Sequence, residues 1–446
     1  IYACTEWVDD AFRGREFLHE IYSRLLNPTS VSLANHIVDV EAGPYTGDYM
    51  AWNFNSGMAA IDGLLSSQLS YGDVVIVSRN VYGGTYQLLH DFYARKEKLG
   101  IKLEWFDGFT GEAFRGFLAE VHERHQQALT DGAKVLVFVE SPCNPFGYVL
   151  DMPEICEEAH AHGHMVVQDA TVATPFLIKP LQRDNKAERP DFVVHSYTKD
   201  LTGNGNVTAG VVIGENFRMF QAKGETCNGV SWDNTLFWGV YYVKGAFLDS
   251  EGAFEVISGM KTLEGRMLQK CINTLVLVRW LNAHPHIRVH SNGVPEDENG
   301  AIREKLLLYG MPVPLFSIDF ESANLGRDTF VRFFDNLSPG LDHQVTLGQS
   351  NTVCLCPALT SHSELSEEAL HKAGIFMTTI RISVGQEDPK QVLAHFRHAL
   401  ALATEDSHPG FSAMCLNDEA TDKLVRETYL EVHNAHAKAF IPMATM

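Results

Sequence analysis

A lysine just past a buried strand, flanked by hydroxyls, is well suited to covalent chemistry. The stretch Val193-Val194-His195-Ser196-Tyr197-Thr198-Lys199 ends an apolar β-branched run on such a turn, and a glycine-broken loop, Gly203-Asn204-Gly205-Asn206, follows. The Lys199 amine can form a Schiff base with a carbonyl cofactor, while Ser196 and Thr198 offer hydroxyls to a phosphate nearby. Taken alone, a lysine in this place is more often a plain surface residue. Its weight comes from residues of complementary chemistry elsewhere. Asn55-Ser56-Gly57-Met58 runs into a helix, and its exposed N–H groups serve either as a phosphate seat or as a simple N-cap. Tyr82, before the glycine pair Gly83-Gly84, is placed either to stack on a flat ligand or to fill a turn. Asn144 and Asp169 each follow an apolar run. Arg381 stands in the middle of Thr378–Val384, where its burial requires a partner, either a bound carboxylate held bidentately or a structural ion pair.

The elements that position these residues alternate. Apolar runs at 50–54, 73–78, 100–106, 134–140, 165–168, 191–195 and 209–214 read as strands, and 31–41, 110–127 and 152–162 read as helices. Continuous rather than alternating apolar strands between helices predict an α/β fold with a mainly parallel sheet. Ligands of such sheets lie beyond the carboxyl ends of the strands, where Tyr82, Asn144, Asp169 and Lys199 all fall. Beyond residue 256 the pattern changes to one long helix at 258–282. A smaller α/β portion follows, with strands at 315–320, 352–356 and 378–384 and helices at 328–337, 366–373 and 390–403. The expected organisation is an arm over 1–35, a large domain over 36–255, a small domain over 256–404 and a polar, partly helical tail over 405–446.

The chain has 446 residues, 45% hydrophobic and 20% charged, which predicts a soluble globular protein with a large core. A formal net charge of −21 argues against nucleic acid or an anionic membrane as partner. No apolar run is long enough to span a bilayer. The start, Ile1-Tyr2-Ala3, has no secretory signal pattern, and eight scattered cysteines without a Cys-x-x-Cys pair suit the cytoplasm. Because the chain does not begin with Met, a leading segment is expected before Ile1. His160-Ala161-His162-Gly163-His164 has no acidic or thiol ligand spaced with it, so no metal is expected. Cys354 and Cys356 read as small buried hydrophobes.

Taken in order, the motifs resemble those of the Cys/Met-metabolism family of pyridoxal-phosphate (PLP) enzymes, from about Tyr22 to Ala399. They are Tyr22-Ser23-Arg24 with Asn27-Pro28-Thr29, Ser56-Gly57-Met58-Ala59-Ala60, Tyr82-Gly83-Gly84-Thr85, Glu140-Ser141-Pro142 with Asn144-Pro145, Asp169 with Thr171, Ser196-x-Thr198-Lys199, and Arg381-x-Ser383-Val384-Gly385. The resemblance implies fold type I, the aspartate-aminotransferase-like architecture. In it a mainly parallel seven-stranded sheet forms the large domain and a smaller α/β domain follows. It implies that Lys199 carries PLP as a Schiff base, that Asp169, with Thr171 beside it, pairs with the pyridinium nitrogen, and that Tyr82 stacks over the ring. Gly57, Met58, Ser196 and Thr198 would hold the phosphate, joined by Tyr22 and Arg24 from a neighbouring subunit. Arg381 would clamp the substrate α-carboxylate with Asn144 and the backbone near Val345 and Thr346. A homo-oligomer with shared sites, a dimer of dimers, is the implied assembly.

The implied reaction is γ-elimination from a homoserine- or homocysteine-type amino acid such as methionine, cystathionine or canavanine, with Lys199 taking the α-proton and Tyr82 protonating the leaving group. The alternatives are γ-replacement on an activated homoserine ester and a non-catalytic PLP-binding protein. The chain departs from the family at Gly203-Asn204-Gly205-Asn206, where Gly-His-Ser-Asp is usual, at Ala170 within Asp-Asn-Thr, and at Gly84, where the methionine enzymes carry Cys. Val345 stands where cystathionine-handling members often have Glu, and the tail is longer than usual. These differences point to an outlying member with an unusual leaving group, and the loop after Lys199 is the expected seat of altered specificity.

Overall fold

Asn27 opens the first helix, α1 (Pro28–Ala42): its Oδ1 accepts from Ser30 N at 2.8 Å, and Pro28 takes the first helical position, where no N–H is needed. The computed structural model describes residues 26–363 and 366–440, so Tyr22 and Arg24 lie outside the described residues. Those residues fall into two compact units, one made of the described residues up to 141 with 150–263, the other of 142–149 with the described residues from 264 on.

The first unit is built on a seven-stranded sheet of β1 (Tyr49–Phe54), β2 (Val74–Ser78), β3 (Lys102–Phe106), β4 (Val135–Glu140), β5 (Met165–Asp169), β6 (Phe192–His195) and β7 (Gly210–Glu215). Their spatial order is β1-β7-β6-β5-β4-β2-β3. The run from β3 to β6 is parallel, and β7 and β1 close the other edge antiparallel. The central strands are apolar on both faces because both are covered. Val75, Val77, Phe138, Val167 and Val194 share one core with Leu64 and Leu65 of α2 (Gly57–Gln68). Val74, Ile76, Val137 and Val166 share another with Leu118 of α3 (Gly111–Arg124) and Ile155 of α4 (Met152–Ala161). A two-residue pair, β8 (Thr226–Cys227) with β9 (Val230–Ser231), stands apart from this sheet.

The long helix expected at 258–282 is two helices, α5 (Ser250–Met260) and α6 (Leu263–Asn282). The apolar spacing runs on, but Thr262 N donates to Gly259 O at 3.2 Å, a turn that closes α5 before α6 begins. The second unit carries a five-stranded sheet in the order β10-β11-β14-β13-β12: β10 (Arg288–His290), β11 (Leu315–Asp319), β12 (Asp342–His343), β13 (Val353–Leu355) and β14 (Ile380–Ser383). Helices α7 (Arg327–Asn336) and α8 (Pro389–Thr404) pack through Phe333 and Phe396, whose ring centroids are 5.2 Å apart. The tail folds as α9 (Asp418–Phe440).

The structure adds His122 of α3 to the histidines at the end of α4. Its Nε2 lies 2.7 Å from His164 Nε2, a contact in which one ring must donate and the other accept. Burial lowers His164 to about 4, with His122 and His162 adding to the shift, and burial lowers His122 as well. Unfolded histidines take their protons near pH 6.5, so the unfolded chain binds more protons than the folded one between pH 6.5 and 4. The stability attached to neutral His164 is therefore intact above pH 6.5 and falls away as the pH drops towards 4. The loss of thermal midpoint between pH 7 and pH 5 is expected to be smaller in His164→Gln than in the unsubstituted protein. Equal losses in scanning calorimetry would show that this contact does not govern acid sensitivity.

Candidate active site

The end of β6 and the start of α2 are pressed together. A Cβ placed on Gly57 would stand 2.8 Å from Ser196 Cβ and 2.9 Å from Ser196 Oγ, so only glycine lets the helix N-terminus reach this turn. Ser56 caps the helix through Ala59 N at 3.1 Å, and among the described residues the N–H groups of Gly57 and Met58 have no partner. Two free amides at a positive helix end beside a serine hydroxyl form a seat for a phosphate monoester. Thr198, expected to join them, spends its hydroxyl on the backbone of Ala209, donating to O at 3.2 Å and accepting from N at 2.9 Å. It thereby ties the turn to the start of β7. Lys199 closes the same turn, its N–H donating to Ser196 O at 3.3 Å.

Asp169 ends β5 with its side chain buried. Thr171 donates to its Oδ1 twice, from N at 3.0 Å and from Oγ1 at 2.6 Å, and Thr171 Oγ1 in turn accepts from Ser196 N at 2.8 Å. Both bonds end on one oxygen, and among the described residues no hydrogen bond ends on Oδ2. Burial raises the carboxyl's pKa; the Thr171 hydrogen bonds, with a smaller contribution from nearby His195, pull the other way. A cationic ring nitrogen donating to Oδ2 would hold the group ionised. Behind the turn, His195 Nε2 meets Glu41 Oε1 of α1, both side chains wholly buried. Glu41 escaped the sequence reading; its signal is a carboxylate within a buried helix face.

Tyr82 is 43% exposed, and its backbone N donates to buried Glu140 Oε2 at 2.6 Å. A Cβ on Gly84 would lie 2.6 Å from Tyr82 Cε1 and 3.3 Å from Met58 Sδ, so the tyrosine ring rests directly on glycine. In the loop after Lys199, Gly203 and Gly205 adopt φ of +76° and +68°, and Asn206 donates to Glu255 Oε2 at 2.8 Å.

The second unit contains a separate arrangement. Arg381, buried in β14, donates from Nη1 to Asn144 Oδ1 at 3.2 Å and from Nη2 to Thr346 O at 2.6 Å. Both of these acceptors are neutral, and Asn144 is buried too. Thr346 takes part through its carbonyl, whereas the Val345 side chain is 72% exposed. His362, absent from the sequence reading, is buried; burial first, and the charge of Arg381 second, lower it to about 4. It is therefore neutral near pH 7. Burial pushes Cys354 and Cys356 up to about 12, which leaves neither thiol reactive. Among the described residues, no group of three or more His, Cys, Asp or Glu side chains is arranged to hold a metal ion.

A lysine on the turn beside free helix-end amides and a buried carboxylate with an open oxygen suit a PLP-dependent enzyme. The family model for Cys/Met metabolism PLP-dependent enzymes matches residues 1–401, and the chain belongs to that family. It is 32% identical over 409 residues to an L-methionine gamma-lyase of Fusobacterium nucleatum subsp. polymorphum, covering 90% of this chain and 92% of the relative. It is 31% identical to an O-succinylhomoserine sulfhydrylase of Pseudomonas aeruginosa, covering 85% and 83%. A structure of a putative O-acetylhomoserine (thiol)-lyase from Campylobacter jejuni, described with a pyridoxyl-lysine monophosphate, superposes with a TM-score of 0.73 at 28% identity, covering 88% of this chain and 90% of that one. The fold is that of the PLP-dependent cystathionine synthases and lyases, and the protein is an enzyme of amino-acid metabolism that uses PLP. The chain's own groups fit that cofactor, as the free Gly57 and Met58 amides and the open Oδ2 of buried Asp169 attest.

Replacing Thr171 by Val removes a donor to Asp169 and the acceptor for Ser196 N–H. Bonds to a charged group carry about 1.5–3 kcal/mol, so PLP affinity is expected to fall by roughly tenfold or more. Equilibrium titration of cofactor-free protein with PLP measures this, and an unchanged dissociation constant would show that Thr171 does not hold Asp169 in its working state.

Proposed function

We propose that the protein is a γ-lyase acting on a homoserine- or homocysteine-type amino acid, with methionine as the first candidate. Supporting this reading is similarity over nine-tenths of the chain to enzymes named L-methionine gamma-lyase. The apolar Val345 agrees with it. Lys199 would carry PLP, with Ser196, Gly57 and Met58 at the phosphate, Thr198 tying their turn to β7, Asp169 held by Thr171 at the ring nitrogen, and Tyr82 over the ring. When bound, the cofactor supplies an electron sink for charge developing beside the amino group. The residues do the rest. Arg381, with Asn144 and the Thr346 carbonyl, orients the α-carboxylate. The Lys199 amine removes the proton at Cα and manages proton transfer at Cβ. The Tyr82 hydroxyl gives a proton to the departing γ-substituent.

A second reading, γ-replacement on an acylated homoserine, is favoured by the sulfhydrylase relatives. Tyr22 and Arg24, outside the described residues, would complete the phosphate site of a neighbouring subunit in a dimer of dimers. A cytoplasmic location completes the proposal; no helix among the described residues is long and apolar enough to cross a membrane.

The purified protein is expected to be yellow and to lose its visible absorption in Lys199→Ala. Methionine, cystathionine, O-acetylhomoserine and canavanine, offered singly, are then assayed for 2-oxobutanoate, homoserine and ammonia. Methionine is expected to give 2-oxobutanoate and ammonia without a second substrate; turnover only after a thiol is added would replace elimination by the second reading.

A further inference from the structure

Helix α9 lies wholly beyond residue 401, where the family match ends. Part of its contact with the rest of the second unit is simple docking. Trp280 Nε1 donates to Thr421 Oγ1 at 3.0 Å, and Arg279 reaches Thr428 Oγ1 at 3.1 Å and Glu431 Oε2 at 2.8 Å. One contact is of another kind. The Tyr429 hydroxyl donates to Asn273 Oδ1 at 2.8 Å and accepts from Gln269 Nε2 at 2.5 Å. Asn273, 2% exposed, passes this inward: its Nδ2 donates to Gly385 O at 3.1 Å and to Glu387 O at 2.9 Å.

Residues 385–387 leave β14, the strand of Arg381, and are tied at each step to residues 350–352. Gly385 N donates to Thr352 Oγ1 at 3.0 Å, Gln386 N donates to Ser350 O at 2.7 Å, and the Glu387 carboxylate accepts from Thr352 N and, at 3.0 Å, from its hydroxyl. A Cβ on Gly385 would meet Ser350 O at 2.5 Å, so the two segments have no slack. Gly348 N donates to Ser383 Oγ at 3.2 Å, and two residues earlier the Thr346 carbonyl accepts from Arg381. The bonded path therefore runs from Tyr429 through Asn273 and residues 385–387 to the backbone acceptor that sets the angle of the Arg381 guanidinium.

We propose that the C-terminal extension positions the carboxylate clamp, with Tyr429 as the positioning residue acting through Asn273. The inference rests on Arg381 being the α-carboxylate site. It explains why a polar tail beyond the family's boundary should place a tyrosine hydroxyl and a buried asparagine against the segment that leaves the arginine strand, rather than only cover apolar surface.

The test uses a ligand pair that differs only in the carboxylate. L-Norleucine has no leaving group at Cγ, and n-pentylamine is norleucine without its α-carboxylate. Holoenzyme is titrated with each, following the shift in visible absorption as the amine engages the cofactor. In Tyr429→Phe, norleucine is expected to bind roughly three- to tenfold more weakly, the size of one buried hydrogen bond. Pentylamine is expected to bind as before. Gln269→Met, which removes a donor to the same pair from a half-buried helix surface, should act in the same direction even if Tyr429→Phe fails to fold. Glu431→Ala, which loosens docking without touching the path, should change neither ligand. Arg381→Ala separates the premises. If it loses norleucine while Tyr429→Phe and Gln269→Met keep it, the extension is only a cover and the proposal is wrong. If Arg381→Ala itself retains norleucine affinity, the carboxylate assignment fails and takes the proposal with it.

Discussion

Holding a carboxylate ionised at the end of an apolar sheet is the constraint around which the first unit is arranged. Asp169 sits where β4, β5 and β6 are buried on both faces, so water cannot stabilise its charge. Burial pushes its pKa up, towards the neutral acid, and a neutral acid would not keep a pyridine nitrogen protonated. The chain answers with two donors from Thr171, just beyond β5, whose hydroxyl in turn accepts from Ser196 N–H past the end of β6. Ser196 opens the turn that Lys199 closes. One set of hydrogen bonds thus links the group that would tune the ring and the turn whose lysine would bond to it. His195, one residue before Ser196, is pinned by Glu41 from α1, so a helix remote in sequence helps set the same turn.

The second unit handles charge differently. Arg381 is buried among neutral oxygen acceptors, Asn144 Oδ1 and Thr346 O. These two acceptors fix the direction of guanidinium N–H groups. His362 fits that arrangement. A protonated imidazole beside Arg381 would be repelled in a buried place, and its lowered pKa keeps it neutral. Orientation then depends on where backbone carbonyls stand, and so on the loops that carry them.

Much of this was legible in the sequence because it rests on residue type and order. Seven apolar runs gave seven strands, and the helix starting at Ser56-Gly57 is betrayed by its cap and its glycine. What stayed hidden rests on partners distant in sequence. Glu41 and His195 are 154 positions apart, and nothing in either neighbourhood announces the pair. His362 reads as a loop histidine until its burial is known. The break between α5 and α6 was lost because apolar spacing continues through it, while the turn at Gly259 is a backbone event. The tail read only as polar and partly helical because Tyr429 gains meaning from Asn273, itself an unremarked polar residue in α6.

The chain's departures from its family also take on physical content. Gly84 and the present place of the Tyr82 ring are a matched pair, because a Cβ at 84 would stand 2.6 Å from Tyr82 Cε1. A cysteine there would require the Tyr82 ring to move. Gly203 and Gly205 are likewise bound to their backbone, since both adopt the left-handed φ that other residues take only under strain. A serine at 205 would have to reshape the loop rather than merely add a hydroxyl. In both places the chain has a backbone shape where the family pattern has a side chain, while it keeps the lysine, aspartate, tyrosine and arginine that would carry the proposed chemistry. Divergence within such a family therefore need not alter the reacting groups; it can act on the surfaces against which those groups rest.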